Sequence, residues 1–126
     1  MKLVLDTSLL IDKLRNGRQW ERFLRNVNKD AEIFLPTVVI FEIYSGTSSR
    51  TTEANKKIQK ILRFMQRVDL NETIAKRAGE IYRDISSHFS VADYLIAATA
   101  LEIGAEVATL NRRHFVKIPG VRIYDF

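Results

Sequence analysis

Short apolar runs recur along this chain at wide intervals, and helical periodicity fills the space between them. Lys2–Leu5 is one such run and stops at Asp6; Ile33–Leu35 is a second; Glu106–Leu110 and Val121–Tyr124 close the series. Between them, Thr7 or Ser8 can cap a helix over Leu9–Leu14 that closes at Asn16-Gly17. Trp20, Phe23, Leu24 and Val27 then follow at i, i+3, i+4, i+7, the mark of an amphipathic helix. Pro36-Thr37 opens an unusually apolar helix, Val38–Tyr44, ending near Gly46. After a Ser/Thr-rich loop over Gly46–Thr52, Ile58, Ile61, Leu62 and Met65 form one helical stripe. A further helix from Asn71 turns Ile74, Ala78, Ile81, Tyr82 and Ile85 inward, Ser86–Phe89 breaks it, and Ser90 starts another that runs to Gly104. Short strands alternating with helices predict an α/β fold, a parallel sheet with helices on both faces. In such sheets sites form beyond the carboxyl ends of the strands.

The chain has 126 residues, enough for one domain, 1–126, with a sizeable core. No apolar run approaches the ~20 residues of a membrane span. The opening MKLVLD is no secretory signal, so the expected location is the cytoplasm, with no membrane partner. There is no Cys, which excludes disulfides, thiolate nucleophiles and Cys-based zinc sites. His88 and His114 are not paired at ligand spacing, so a metal site here must be built from oxygen, which suits hard cations such as Mg²⁺ or Mn²⁺. The net charge of +5 points to an acidic partner, nucleic acid first.

Of the 15 acidic residues, Glu53, Glu72, Glu80 and Asp84 lie among Lys and Arg on helix faces and need no function. Three acids stand apart. Asp6 ends Leu3-Val4-Leu5, Glu42 sits within Val38–Tyr44, and Asp93 lies in Val91–Ala98. A carboxylate in apolar surroundings costs free energy unless something neutralises it, and one shared cation would neutralise all three. Structural readings stand beside this one. Asp6 could cap the first helix, Ser90-x-x-Asp93 fits a capping box, and Glu42 could be a half-exposed helix residue.

At these residues the chain resembles the PIN-domain nucleases, particularly the VapC toxins of VapBC toxin–antitoxin pairs. Leu5-Asp6-Thr7-Ser8 is similar to their first motif and Phe41-Glu42 before Ile43-Tyr44-Ser45-Gly46 to the second. Ala92-Asp93-Tyr94-Leu95-Ile96-Ala97-Ala98-Thr99-Ala100 is similar to the third; Ala108-Thr109-Leu110-Asn111 followed by His114-Phe115 resembles the fourth, which often carries an acid where this chain has Asn111. The resemblance implies a three-layer α/β/α fold and an Mg²⁺- or Mn²⁺-dependent endoribonuclease acting on RNA. It also implies a homodimer and a VapB-type antitoxin. Asp6, Glu42 and Asp93 are then the expected metal-holding carboxylates, and Asn111 joins them as a catalytic residue that adds no charge. Thr7, Ser8 and Thr109 are candidates to orient carboxylates or water. Arg112, Arg113 and Lys117, just after the fourth motif, are candidates for RNA phosphates. The basic face Lys56, Lys57, Lys60, Arg63 and Arg67 reads instead as solvated. The Trp20–Val27 stripe is either plain core or the wall of a groove for an antitoxin tail, which in this family docks near such early helices.

Two other classes compete. A phosphoacceptor receiver domain is also α/β and Mg²⁺-binding, but it needs paired acids after the first strand, an acceptor Asp after the third and a late Lys; Asp6 is followed by Thr7-Ser8, and no Asp ends a mid-chain strand. A catalytically silent RNA-binding or scaffold domain keeping this fold gains support from Asn111, and loses it from the three acids retained in apolar settings.

Overall fold

The structure, a computed structural model, describes residues 1–85 and 88–126, with residues 47 and 48 described through their backbone only. Ser86 and Ser87, the start of the expected break, lie outside the described residues. Four parallel strands, β1 (Lys2–Leu5), β2 (Glu32–Pro36), β3 (Gln66–Val68) and β4 (Glu106–Ala108), form one sheet in the order β3-β2-β1-β4. Leu3 faces Ile33 on one side and Glu106 on the other, and Val4 faces Phe34 and Val107. The helices are α1 (Thr7–Leu14), α2 (Gln19–Asn26), α3 (Thr37–Tyr44), α4 (Thr52–Leu62), α5 (Glu72–Asp84), α6 (Val91–Ile103) and α7 (Arg112–Phe115). They flank the sheet as the three-layer α/β/α fold expected from the resemblance.

The central strand explains the centre of the fold. Leu3, Val4 and Leu5 are all fully buried, as a strand covered on both faces requires. Each such side chain contributes about 1.5–3 kcal/mol by leaving water. Helix α6 is apolar on nearly every face and is correspondingly buried, from Ala92 through Ala100 apart from Leu95. It packs on β1 and against α5. Ser90 caps its start by accepting from the Asp93 amide at 3.2 Å, and Gly104, in the left-handed region at φ 69°, ends it.

Several expectations need correction. Helix α4 stops at Leu62, and Met65 reaches the core from the approach to β3, a strand not anticipated in the sequence; Arg67 lies on that strand, its guanidinium donating to the carbonyls of Leu62 and Met65. Within the Gly46–Thr52 loop, Thr47–Arg50 winds into a 3₁₀ turn. Tyr82 is 57% exposed and stands edge-on to Tyr94, because it lies at the margin of the α5 stripe rather than within it. Val121–Tyr124 is not a strand but a single bridge between Ile123 and Val107. The tail turns away there, so that Tyr124 donates to the Asn26 carbonyl and Phe126 packs edge-on against Phe23. Among the described residues no helix is long and apolar enough to cross a membrane.

Candidate active site

The carboxyl ends of the strands open onto a pocket of about 460 Å³ whose lining includes Asp6, Ser8, Glu42, Asp93 and Asn111. Four separate elements deliver these groups. Asp6 is the residue between β1 and α1, Glu42 lies on α3 after β2, Asp93 is in the first turn of α6, and Asn111 precedes α7 beyond β4.

Asp6 occupies the N-cap position of α1 but its side chain caps nothing. It is 2% exposed, and its Oδ2 instead accepts from the Ser8 hydroxyl at 2.7 Å and the Thr109 hydroxyl at 2.6 Å. Each hydroxyl in turn accepts a backbone amide from the loop after β4, Leu110 N on Ser8 and Asn111 N on Thr109. The amides take the hydroxyl lone pairs, so both protons are aimed at Asp6 and the carboxylate is held by the segments that follow two adjacent strands, β1 and β4. Thr7, buried beside it, donates to Glu42 Oε1 at 2.5 Å. The hydroxyls of Thr7, Ser8 and Thr109, read from sequence as orienting groups, thus hold two of the three acids.

Burial pushes the Asp6 and Glu42 carboxyl groups above the ordinary carboxylate range. The hydroxyl hydrogen bonds work against this shift, and the charges of the neighbouring acids reinforce it: Asp93 acts on both, and Asp6 acts on Glu42. Two groups that resist ionisation, facing a third carboxylate across one pocket, make a site that a cation relieves. The donors are all oxygens, the chemistry of a hard divalent ion. Among the described residues no three His, Cys, Asp or Glu side chains form a ligand cluster by themselves. A divalent ion there would be held by one or two of these carboxylates directly, with water completing its shell.

Two pocket neighbours have no site role assigned from the sequence, although His114 stands with the fourth motif. His114 Nδ1 lies 3.2 Å from Asp93 Oδ2, and its ring stacks on Phe89 at 4.9 Å between centroids. A lone His carries no ligand spacing, and only its place three residues after Asn111 marks it. Arg15 lines the pocket from the end of α1; it shares a face with Ser8 and Asp12 at i, i+4, i+7, a pattern visible in the sequence. Arg112, Arg113 and Lys117 are exposed and do not line the pocket, and Arg112 pairs with Asp125 at 3.0 Å.

The sequence pattern of the PIN domain matches residues 3–121. Ribonuclease VapC10 of Mycobacterium tuberculosis is 32% identical over 116 residues, covering 90% of this chain and 85% of the relative. Ribonuclease VapC19 of the same species is 32% identical over 126 residues, covering 97% of this chain and 98% of the relative. In fold, the chain superposes on a protein of the Rickettsia felis VapBC2 complex, solved on a fragment of promoter DNA, with a TM-score of 0.87 at 20% identity, over 100% of this chain and 99% of that one. Divalent-metal dependence is general among PIN-domain ribonucleases. A matching domain pattern over nearly the full length, joined to relatives aligned end to end, establishes that the chain belongs to the PIN-domain family and sits among its VapC members.

Proposed function

We propose that this chain, acting as a single domain in the cytoplasm, is an Mg²⁺-dependent endoribonuclease and the toxin of a VapBC-type pair. The observation that carries this reading is the meeting of Asp6, Glu42 and Asp93, far apart in sequence, in one pocket where burial and the neighbouring acids oppose the ionisation of Asp6 and Glu42. The VapC relatives, named as ribonucleases, support it.

Asp6, Glu42 and Asp93 would hold a divalent ion, directly or through water, and that ion would supply a Lewis acid that offsets phosphate charge and makes water a better nucleophile. The protein's own groups do the rest. Ser8 and Thr109 fix the Asp6 carboxylate, Thr7 fixes Glu42, and His114 sits against Asp93. One of these acids takes the proton of the attacking water, and the Asn111 amide orients water without adding charge. Purified protein incubated with structured RNA is expected to cut it with Mg²⁺ and to leave it intact with EDTA. Cleavage that survives EDTA, or RNA that stays whole in Mg²⁺, overturns the reading.

The antitoxin is proposed to dock in an apolar groove of about 510 Å³ between α2 and α4. Trp20, Leu24, Ile61 and Phe64 line it together with Lys13, Lys57 and Lys60, so an apolar segment that carries acidic residues is the complementary occupant. Phe64 is 82% exposed there, a cost in water that a partner removes. Phe64→Asp is expected to weaken antitoxin binding about tenfold or more in isothermal calorimetry; wild-type affinity in that variant rules this groove out. A homodimer is inferred as well, its apolar surface the exposed Tyr82 and Val91, with sedimentation as the check.

A further inference from the structure

A pocket of carboxylates repels the polyanion it is meant to cut. Asp6, Asp12, Glu42 and Asp93 line it, and among the described lining residues Arg15 is the single cation. The charge that attracts RNA must therefore lie next to the pocket, and helix α1 leads to it. Its first turn faces the carboxylates, and its far end, about 12 Å along the axis, opens onto a second cavity of about 480 Å³.

That second cavity is lined by Lys13, Arg18, Glu21 and Arg25, with Asn16 and Gly17 between them. Lys13 and Glu21 pair at 2.6 Å and cancel one another. Arg18 and Arg25 remain as its excess positive charge. All three arginines, Arg15, Arg18 and Arg25, are exposed, and within the described residues neither Arg15 nor Arg18 is tied down by a side-chain hydrogen bond or ion pair. The connection that carries them is nonetheless held in place. Asn16 takes a left-handed conformation at φ 61°, the Asp12 carboxylate accepts from the Gln19 amide at 2.9 Å, and any side chain at Gly17 would strike that carboxylate. Arginines with free guanidinium groups on a clamped turn are preorganised to meet phosphate.

We infer that the RNA strand leaves the carboxylate pocket across the C-terminal turn of α1, its phosphates met first by Arg15 and then by Arg18 and Arg25. This inference rests on the ribonuclease reading above. Cations at a helix C-terminus also favour the helix dipole, and the test separates that role from phosphate contact.

The affinity of a labelled single-stranded RNA is measured by fluorescence anisotropy in EDTA, over a series of KCl concentrations. The logarithm of the binding constant falls linearly with that of the salt concentration, and each of Arg15→Gln, Arg18→Gln and Arg25→Gln is expected to flatten the slope by about 0.7, the increment of one phosphate contact on a single strand. Because the three residues are exposed, each variant can be compared singly as well as together, with circular-dichroism melts alongside. A triple variant that melts as the wild type and keeps the wild-type slope overturns the track, as does one that loses only thermal stability. A wild-type protein that cuts RNA while the slope is unmoved refutes the track alone; one that neither cuts nor binds RNA refutes the ribonuclease reading and the track with it.

Discussion

Asp6→Asn and Asp93→Asn each lower kcat/KM for RNA cleavage by about 10²–10³-fold or more, with the fold intact. The magnitude follows from removing one negative charge from a site whose cation offsets charge in the transition state, a contribution of several kcal/mol. In Asp6→Asn the side chain keeps its volume and one oxygen can still accept from Ser8 and Thr109, so the variant isolates charge from shape. A gel assay with Mg²⁺ at saturation, beside a circular-dichroism melt, measures both. Cleavage at wild-type rates in both variants removes the site from the chemistry.

The second large effect is on stability. The Asp6 and Glu42 carboxyl groups titrate above their unfolded values because burial disfavours the charged forms. A raised folded pKa makes a contribution that is complete below the ordinary carboxylate range and is lost as pH rises through the folded value. As far as these groups go, metal-free protein is thus more stable at mildly acidic pH than at neutrality. Saturating Mg²⁺ at about one hundred times its Kd adds about 2.7 kcal/mol, a Tm rise on the order of 10 °C for a domain of this size. Asp6→Asn removes the Asp6 contribution: it raises the Tm of the metal-free protein at neutral pH, flattens the acid side of the profile and shrinks the Mg²⁺ shift. Scanning calorimetry of both proteins, with EDTA and with Mg²⁺ across pH, checks this. An Mg²⁺ shift of equal size in wild type and variant would falsify it.

Much of the pocket was legible because its acids sit next to local signals. Asp6 ends an apolar run, Asp93 follows a cap, and Glu42 interrupts an apolar helix; each can be read within a few residues. The missing strand was not. Gln66-Arg67-Val68 has no apolar run, and only pairing with Phe34–Pro36 makes it a strand, a partner that local reading cannot supply. Val121–Tyr124 erred the other way, since its β-prone residues are drawn off by the aromatic contact at Phe23. Arg112, Arg113 and Lys117, the cations beside the fourth motif, do not line the pocket; among the described residues Arg15 does, and its i, i+4, i+7 spacing from Ser8 and Asp12 carried that placement in the sequence.

The Thr109–Asp6 hydrogen bond ties residues 103 positions apart in the chain, and it bears on the order in which the site is assembled. Contacts this distant in sequence carry a loop-closure cost and close late in folding. Until β4 pairs with β1, Asp6 stands without the Thr109 hydroxyl that orients it and without Asn111. The carboxylate pocket is therefore complete only once the outer strand β4 has joined the sheet.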